Sequence, residues 1–246
     1  MKLKIRPLYK LFLILFLIFI SLFAIPIINS FGSAETIRAR RCLINKLWYQ
    51  WVGKIINLKV TANGNLTKGR TVFVSNHVSW LDIIVIGQFC PGFFIAKNDI
   101  SSWPVISILA KQAGTIFIKR GDNKDMLAIS QKLISLLQNN TNIIAFPEGT
   151  TTRGDVVLPF HSSLIKPALL TDSAVQPIAI KYKGLAKEQA PFIGDDEFAP
   201  HLVKMLGMDK VEVNLHFLPV IETDGKNRHT VSREAHTAIQ TQILSG

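Results

Sequence analysis

The residues best suited to chemistry lie in one short stretch, Asn76-His77-Val78-Ser79-Trp80-Leu81-Asp82, which directly follows the apolar run TVFVS. A histidine titrates near neutrality and can take a proton from a hydroxyl, and a carboxylate on its far nitrogen fixes the tautomer and supports the imidazolium that forms. His77 and Asp82 are five residues apart. On one continuous helix that spacing turns the two side chains about 140° away from each other. The pair therefore needs His77 in a turn and Asp82 on the helix that follows. Taken alone the spacing leaves a second reading open, in which Asp82 caps the helix and His77 is a structural donor.

Two further clusters follow apolar runs in the same way. Gly114-Thr-Ile-Phe-Ile-Lys-Arg120 ends in two cations, and the planar fork of Arg120 suits a phosphate or carboxylate. Phe146-Pro147-Glu148-Gly149-Thr150-Thr151-Thr152-Arg153-Gly154 packs two glycines, three hydroxyls, an acid and a cation into nine residues. Glycine lets a main chain approach a ligand closely, Arg153 can hold an anion, and Glu148 can receive a ligand hydroxyl or organise an arginine.

These clusters have to be held by a scaffold, and the sequence predicts one. Strands are expected near 71–75, 93–96, 114–118, 143–146, 175–182 and 211–218. Helices are expected over 101–112, 124–138, 161–171 and 230–244, the third weakened by Pro167. Strands alternating with helices give an α/β layered domain with a mostly parallel or mixed sheet, and loops after such strands are where chemistry is placed. Its amino-terminal neighbour differs. Leu11 to Ile28 is free of charge, flanked by Lys2, Lys4, Arg6 and Lys10 and by Arg38, Arg40 and Arg41. That stretch is expected to insert in a membrane, as a span or as a shallow hairpin. Glu35 to Leu58 reads as an amphipathic helix carrying Trp48 and Trp51 on its apolar side. The organisation expected is a membrane-associated helical segment over 1–58 and an α/β domain over 59–246.

Charge and composition narrow the partners. Residues 1–60 carry ten Lys or Arg against the single acid Glu35, out of 28 basic and 17 acidic residues in the whole chain. A basic excess beside an apolar segment points to an anionic membrane surface and away from nucleic acid. Cys42 and Cys90 have no metal-ligand spacing, and the six histidines form no HExxH, so no metal is expected. No G-x-S-x-G elbow is present, which disfavours a serine hydrolase.

With its blocks in this order the sequence resembles the glycerolipid acyltransferases, the family typified by bacterial 1-acyl-sn-glycerol-3-phosphate acyltransferases. The matching blocks are Asn76-His77 to Asp82, Gly114 to Arg120, Phe146-Pro147-Glu148-Gly149-Thr150, and Val175-Gln176-Pro177-Ile178. The resemblance implies transfer of an acyl group from acyl-CoA or acyl carrier protein to a lysolipid hydroxyl, with His77 and Asp82 as the catalytic pair and no cofactor. It implies acceptor binding by Arg120, Glu148 and Gly149, to which the hydroxyl- and charge-rich loop adds Thr150 and Arg153, and a structural or donor-facing strand around Pro177. Oxyanion donors are expected among the main-chain N–H groups near His77. Two arginines favour lysophosphatidate as acceptor, with lyso-ornithine lipid or another lysolipid as the alternative and a non-catalytic lipid-binding protein as a remote one. The donors are cytoplasmic, so the active site is expected on the cytoplasmic face of a bacterial inner membrane.

Overall fold

A computed structural model describes residues 5–97, 104–118 and 123–245. Arg120 lies outside them. The elements run α1 (Ile5–Ile28), α2 (Ala34–Ile56), β1 (Leu58–Asn63), β2 (Thr71–Ser75), α3 (Leu81–Gly87), β3 (Phe93–Lys97), α4 (Pro104–Gln112), β4 (Ile116–Ile118), α5 (Asn123–Gln138) and β5 (Ile143–Ala145). They continue with a 3-10 turn (Ser162–Leu164), α6 (Lys166–Leu169), β6 (Ala174–Lys183), α7 (Leu185–Gln189), α8 (Phe198–Gly207), β7 (Val211–Phe217) and α9 (Arg228–Leu244).

The described strands form one sheet in the order β1-β7-β6-β2-β5-β3-β4, parallel except where β6 meets β7. The expected α/β class with a mixed sheet is what the chain adopts. β2, β5 and β6 are buried through most of their length, because helices cover both faces. One face packs Phe73, Ile178 and Ile180 against α2, α3 and α8. The other packs Val72, Val74 and Val175 against α5 and α9. Pro177 sits inside β6 opposite Val74.

Three features differ from the sequence expectation. Leu58 opens a strand, since Asn57 takes a left-handed conformation (φ 64°) that ends α2 and lets β1 join the sheet edge beside β7. Residues 161–171 split into a 3-10 turn and the short α6, with Pro167 in the first turn of α6, where its missing N–H costs nothing. Residues 185–207, for which no helix was expected, form α7 and α8.

α2 also presents two apolar faces rather than one. Tyr49, Val52 and Ile56 enter the core, and Leu43, Leu47 and Trp51 stay exposed. α1 behaves likewise. Arg6–Ile28 is long and apolar enough to cross a bilayer, and Phe12, Phe16, Phe19 and Phe23 are each at least 54% exposed. Yet α1 is fastened to the domain towards both ends. The Lys10 ammonium donates to the carbonyls of Ile56 (3.3 Å) and Met208 (3.1 Å), and Gln112 donates to the Leu22 carbonyl (3.4 Å). Ile14 joins the same core cluster as Phe73. An exposed apolar face this long is stable only against lipid or protein.

Candidate active site

β2 lies between β5 and β6, and all three run parallel, so the turns after them meet at one edge of the sheet. Asn76 begins the turn after β2. Its amide accepts from the Ile180 N–H (2.8 Å) and donates to the Ile180 carbonyl (3.0 Å), which extends the β2–β6 ladder by one side-chain pair. His77 follows in a non-helical turn, and α3 begins at Leu81 with Asp82 in its first turn. That is the arrangement the five-residue spacing requires.

His77 Nδ1 and Asp82 Oδ2 are 2.8 Å apart. The same oxygen accepts from the Val78 N–H (2.7 Å) and the Ser79 N–H (2.9 Å), and Oδ1 accepts from the Tyr182 hydroxyl (2.7 Å). Four donors thus hold a carboxylate with no exposure to solvent. With Nδ1–H committed to Asp82, the free nitrogen of His77 is Nε2. Phe146 stacks on the imidazole at 3.9 Å between ring centroids and 13° between planes.

Glu148 stands behind His77. Its Oε1 accepts from the His77 N–H (2.7 Å) and its Oε2 from the Leu158 N–H (2.8 Å). Burial raises its pKa above the ordinary carboxylate value, and those two bonds oppose the rise. The His77 carbonyl accepts from the Thr152 N–H (2.8 Å), so the third cluster grips His77 at both main-chain groups. Gly149 makes the sharp turn possible at φ 68°.

A cavity of about 750 Å³ opens beside His77 and extends under α1. His77, Gly149, Thr150 and Thr151 line it; Glu148 and Arg153 do not. Glu148 was expected on the acceptor, and each of its oxygens accepts from a main-chain donor. Oxyanion donors were expected among the main-chain N–H groups near His77, and those of His77, Val78 and Ser79 point at carboxylates.

The sequence reading passed over Tyr182, Lys97 and His161. Tyr182 sits in a run of buried strand residues and looks like one more core side chain. Lys97 and His161 line the cavity. Lys97 ends β3, and its register partner is Ile118, the last residue of β4.

The Acyltransferase family model matches residues 57–181, from the start of β1 to within β6. Among curated relatives, the lyso-ornithine lipid O-acyltransferase of Pseudomonas aeruginosa is 36% identical over 203 residues, 82% of this chain and 78% of that protein. The 1-acyl-sn-glycerol-3-phosphate acyltransferase of Neisseria gonorrhoeae is 30% identical over 172 residues, 69% of this chain and 68% of that protein. The crystal structure of the 1-acyl-sn-glycerophosphate acyltransferase PlsC of Thermotoga maritima superposes with a TM-score of 0.73 at 19% identity, covering 98% of this chain and 96% of that one, a likeness of fold. The chain belongs to the Acyltransferase family, and it is an acyltransferase.

Proposed function

We propose that the protein transfers a fatty acyl group from acyl-CoA or acyl carrier protein to the hydroxyl of a lysolipid, and that this lysolipid is lyso-ornithine lipid. The observation that carries the acceptor is the 36% identity to the Pseudomonas enzyme across 82% of the chain. The cavity supports it. Two arginines on one phosphomonoester were the reason to expect lysophosphatidate, and Arg153 is exposed and does not line the cavity. Lys97, His161 and Ser163 do line it, groups that can meet the carboxylate of an ornithine headgroup. Arg120, just beyond β4 in sequence, is the residue we assign to the acceptor's anion, whether carboxylate or phosphate. The Neisseria relative favours lysophosphatidate as a second reading.

In this reading His77 Nε2 takes the acceptor's hydroxyl proton as the oxygen attacks the thioester carbonyl carbon. The carbon–sulfur bond then breaks, and the leaving thiolate receives the proton from Nε2. Asp82 keeps the ring in the tautomer that leaves Nε2 open, and Glu148 holds the main chain of His77 still. Thr150, at the cavity beside His77, contacts the acceptor. The test offers purified protein one acyl-CoA with equal amounts of lyso-ornithine lipid and lysophosphatidate, both products being quantified by mass. Preferential acylation of lysophosphatidate would reverse the acceptor assignment.

The protein is membrane-associated. Because α1 is tied to the domain near Met208 and again near Gln112, we infer that α1 and α2 sit in one leaflet with the domain on the cytoplasmic face. Protease added outside sealed right-side-out vesicles should then cut neither end of α1. Cleavage at the basic residues before it would show a full crossing.

A further inference from the structure

Trp80 completes the turn between His77 and α3 and lines the cavity together with Phe192, Phe198 and Leu202. Its indole is held from two sides. Nε1–H donates to His201 Nδ1 at 3.0 Å, and the Phe198 ring meets it edge-on at 5.3 Å. An indole N–H can only donate, so His201 Nδ1 has to be unprotonated and the ring proton sits on Nε2. Nε2 is 3.2 Å from the Pro191 carbonyl, an acceptor, so both ring nitrogens are satisfied in one tautomer only. His201 is 4% exposed. Burial, followed by nearby Lys204, lowers its pKa, which agrees with a neutral ring.

The segment carrying this contact is clamped to the catalytic turns. The Phe192 N–H donates to the Val78 carbonyl (2.9 Å), and the Thr151 hydroxyl donates to the Phe192 carbonyl. Phe192, Phe198 and Leu202, which line the cavity with Trp80, lie beyond residues 57–181, and Leu109, Ala110 and Ala113 of α4 line it as well. Ile14 and Ile25 of α1 both line it, and eleven helical residues span about 16 Å. A reaction that joins two acyl-bearing lipids beside His77 needs apolar room of that length on its surroundings.

We propose that Trp80 is a specificity-determining residue whose indole packs against an acyl chain beside His77, and that His201 is its positioning residue, acting through the Trp80 N–H. The chain belongs either to the lysolipid or to the transferred acyl group. The proposal rests on the reading that the His77 end of the cavity is the reaction centre.

The test compares wild type, Trp80→Phe, His201→Leu, His201→Asn and the Trp80→Phe/His201→Leu double variant in detergent. One panel varies acyl-CoA length at a fixed acceptor, and another varies lysolipid chain length at a fixed donor; kcat and KM are measured in both. Trp80→Phe and His201→Leu should each lower the long-over-short preference by about fivefold in one panel only, through KM, and that panel identifies the chain. The double variant should lose no more than either single one, since both remove one hydrogen bond. His201→Asn keeps an acceptor at the place of Nδ1 and should retain the wild-type preference. If His201→Leu fails to fold, Trp80→Phe and His201→Asn still decide the matter. Unchanged preference in Trp80→Phe, additive losses in the double variant, or loss in His201→Asn equal to that in Trp80→Phe would each overturn the proposal. Failure of the underlying reading shows separately, as transfer by His77→Ala at above about a tenth of the wild-type rate.

Discussion

At the His77 end of the cavity, each main-chain N–H from His77 to Ser79 has a carboxylate as its partner, and Asp82 itself gathers four donors. Beneath α1 the same cavity is walled by side chains such as Ile14, Ile18, Val52 and Leu109, with few directed bonds among them. A hydrogen bond fixes an atom within a few tenths of an ångström, while apolar contact fixes only area and volume. The contrast suits an enzyme that has to place one imidazole nitrogen accurately and accommodate chains that differ in length and bending. Changes to the groups bonded around His77 and Asp82 should therefore act on kcat, and changes to the apolar walls, under α1 or at Trp80, on KM and chain preference.

The largest expected effect is at His77. His77→Ala should lower acyl transfer by about 10²- to 10⁴-fold, because it removes the imidazole that Asp82 orients. Asp82→Asn should cost a similar factor, since a neutral amide in the same place no longer stabilises the imidazolium that forms on His77. Both are read as initial rates on protein shown to be folded by circular dichroism. Transfer by His77→Ala at above about a tenth of the wild-type rate removes the imidazole from the mechanism.

The paired positions were legible in sequence for physical reasons. His77 and Asp82 are five residues apart, and a strand end followed by a helix start is enough to bring them together. Glu148 was legible as a residue of the site but its main-chain partners were not, because a sequence does not show which main-chain groups a carboxylate meets. Tyr182 and His201 lie 100 and 121 positions from their partners. Only the β2–β6 register and the packing of α8 make those contacts, and neither is a local property. The two apolar faces of α2 were merged into one for the same reason, since a helical period does not say which stripe meets protein.

Glu148→Gln tests how far the directed end depends on its second carboxylate. One amide oxygen replaces two acceptors, which leaves an N–H facing an N–H and costs about 1–3 kcal/mol of stability. Loosening the His77 turn should lower kcat by about 10- to 100-fold with the acceptor KM little changed. A rise in KM alone would return Glu148 to the acceptor. The raised pKa adds a signed check. The unfolded chain releases this proton at about 4.5 and the folded one at higher pH, so stability from this group falls as pH rises between those values. Thermal unfolding of Glu148→Gln should lack that part of the slope.

Tyr182→Phe should give the smallest effect, and it separates a bond that orders the site from one that merely fills space. The hydroxyl is fully buried against Asp82 Oδ1 at 2.7 Å. Burial, with Asp82 beside it, pushes its pKa well above the ordinary phenol value, which agrees with a hydroxyl that donates to Asp82. Phenylalanine keeps the ring in its place on β6 and removes only that donor. Asp82 retains three donors on Oδ2, and the His77 bond is one of them. The loss should therefore be partial, about 3- to 10-fold in kcat/KM, or roughly 0.7–1.4 kcal/mol of transition-state stabilisation. It should fall on kcat and leave the chain-length preference untouched, because the Trp80 wall is built by other contacts. A loss as large as that of Asp82→Asn would mean that Tyr182 alone sets the orientation of the carboxylate. An unchanged kcat would mean that the two main-chain N–H groups of Val78 and Ser79 suffice to hold it.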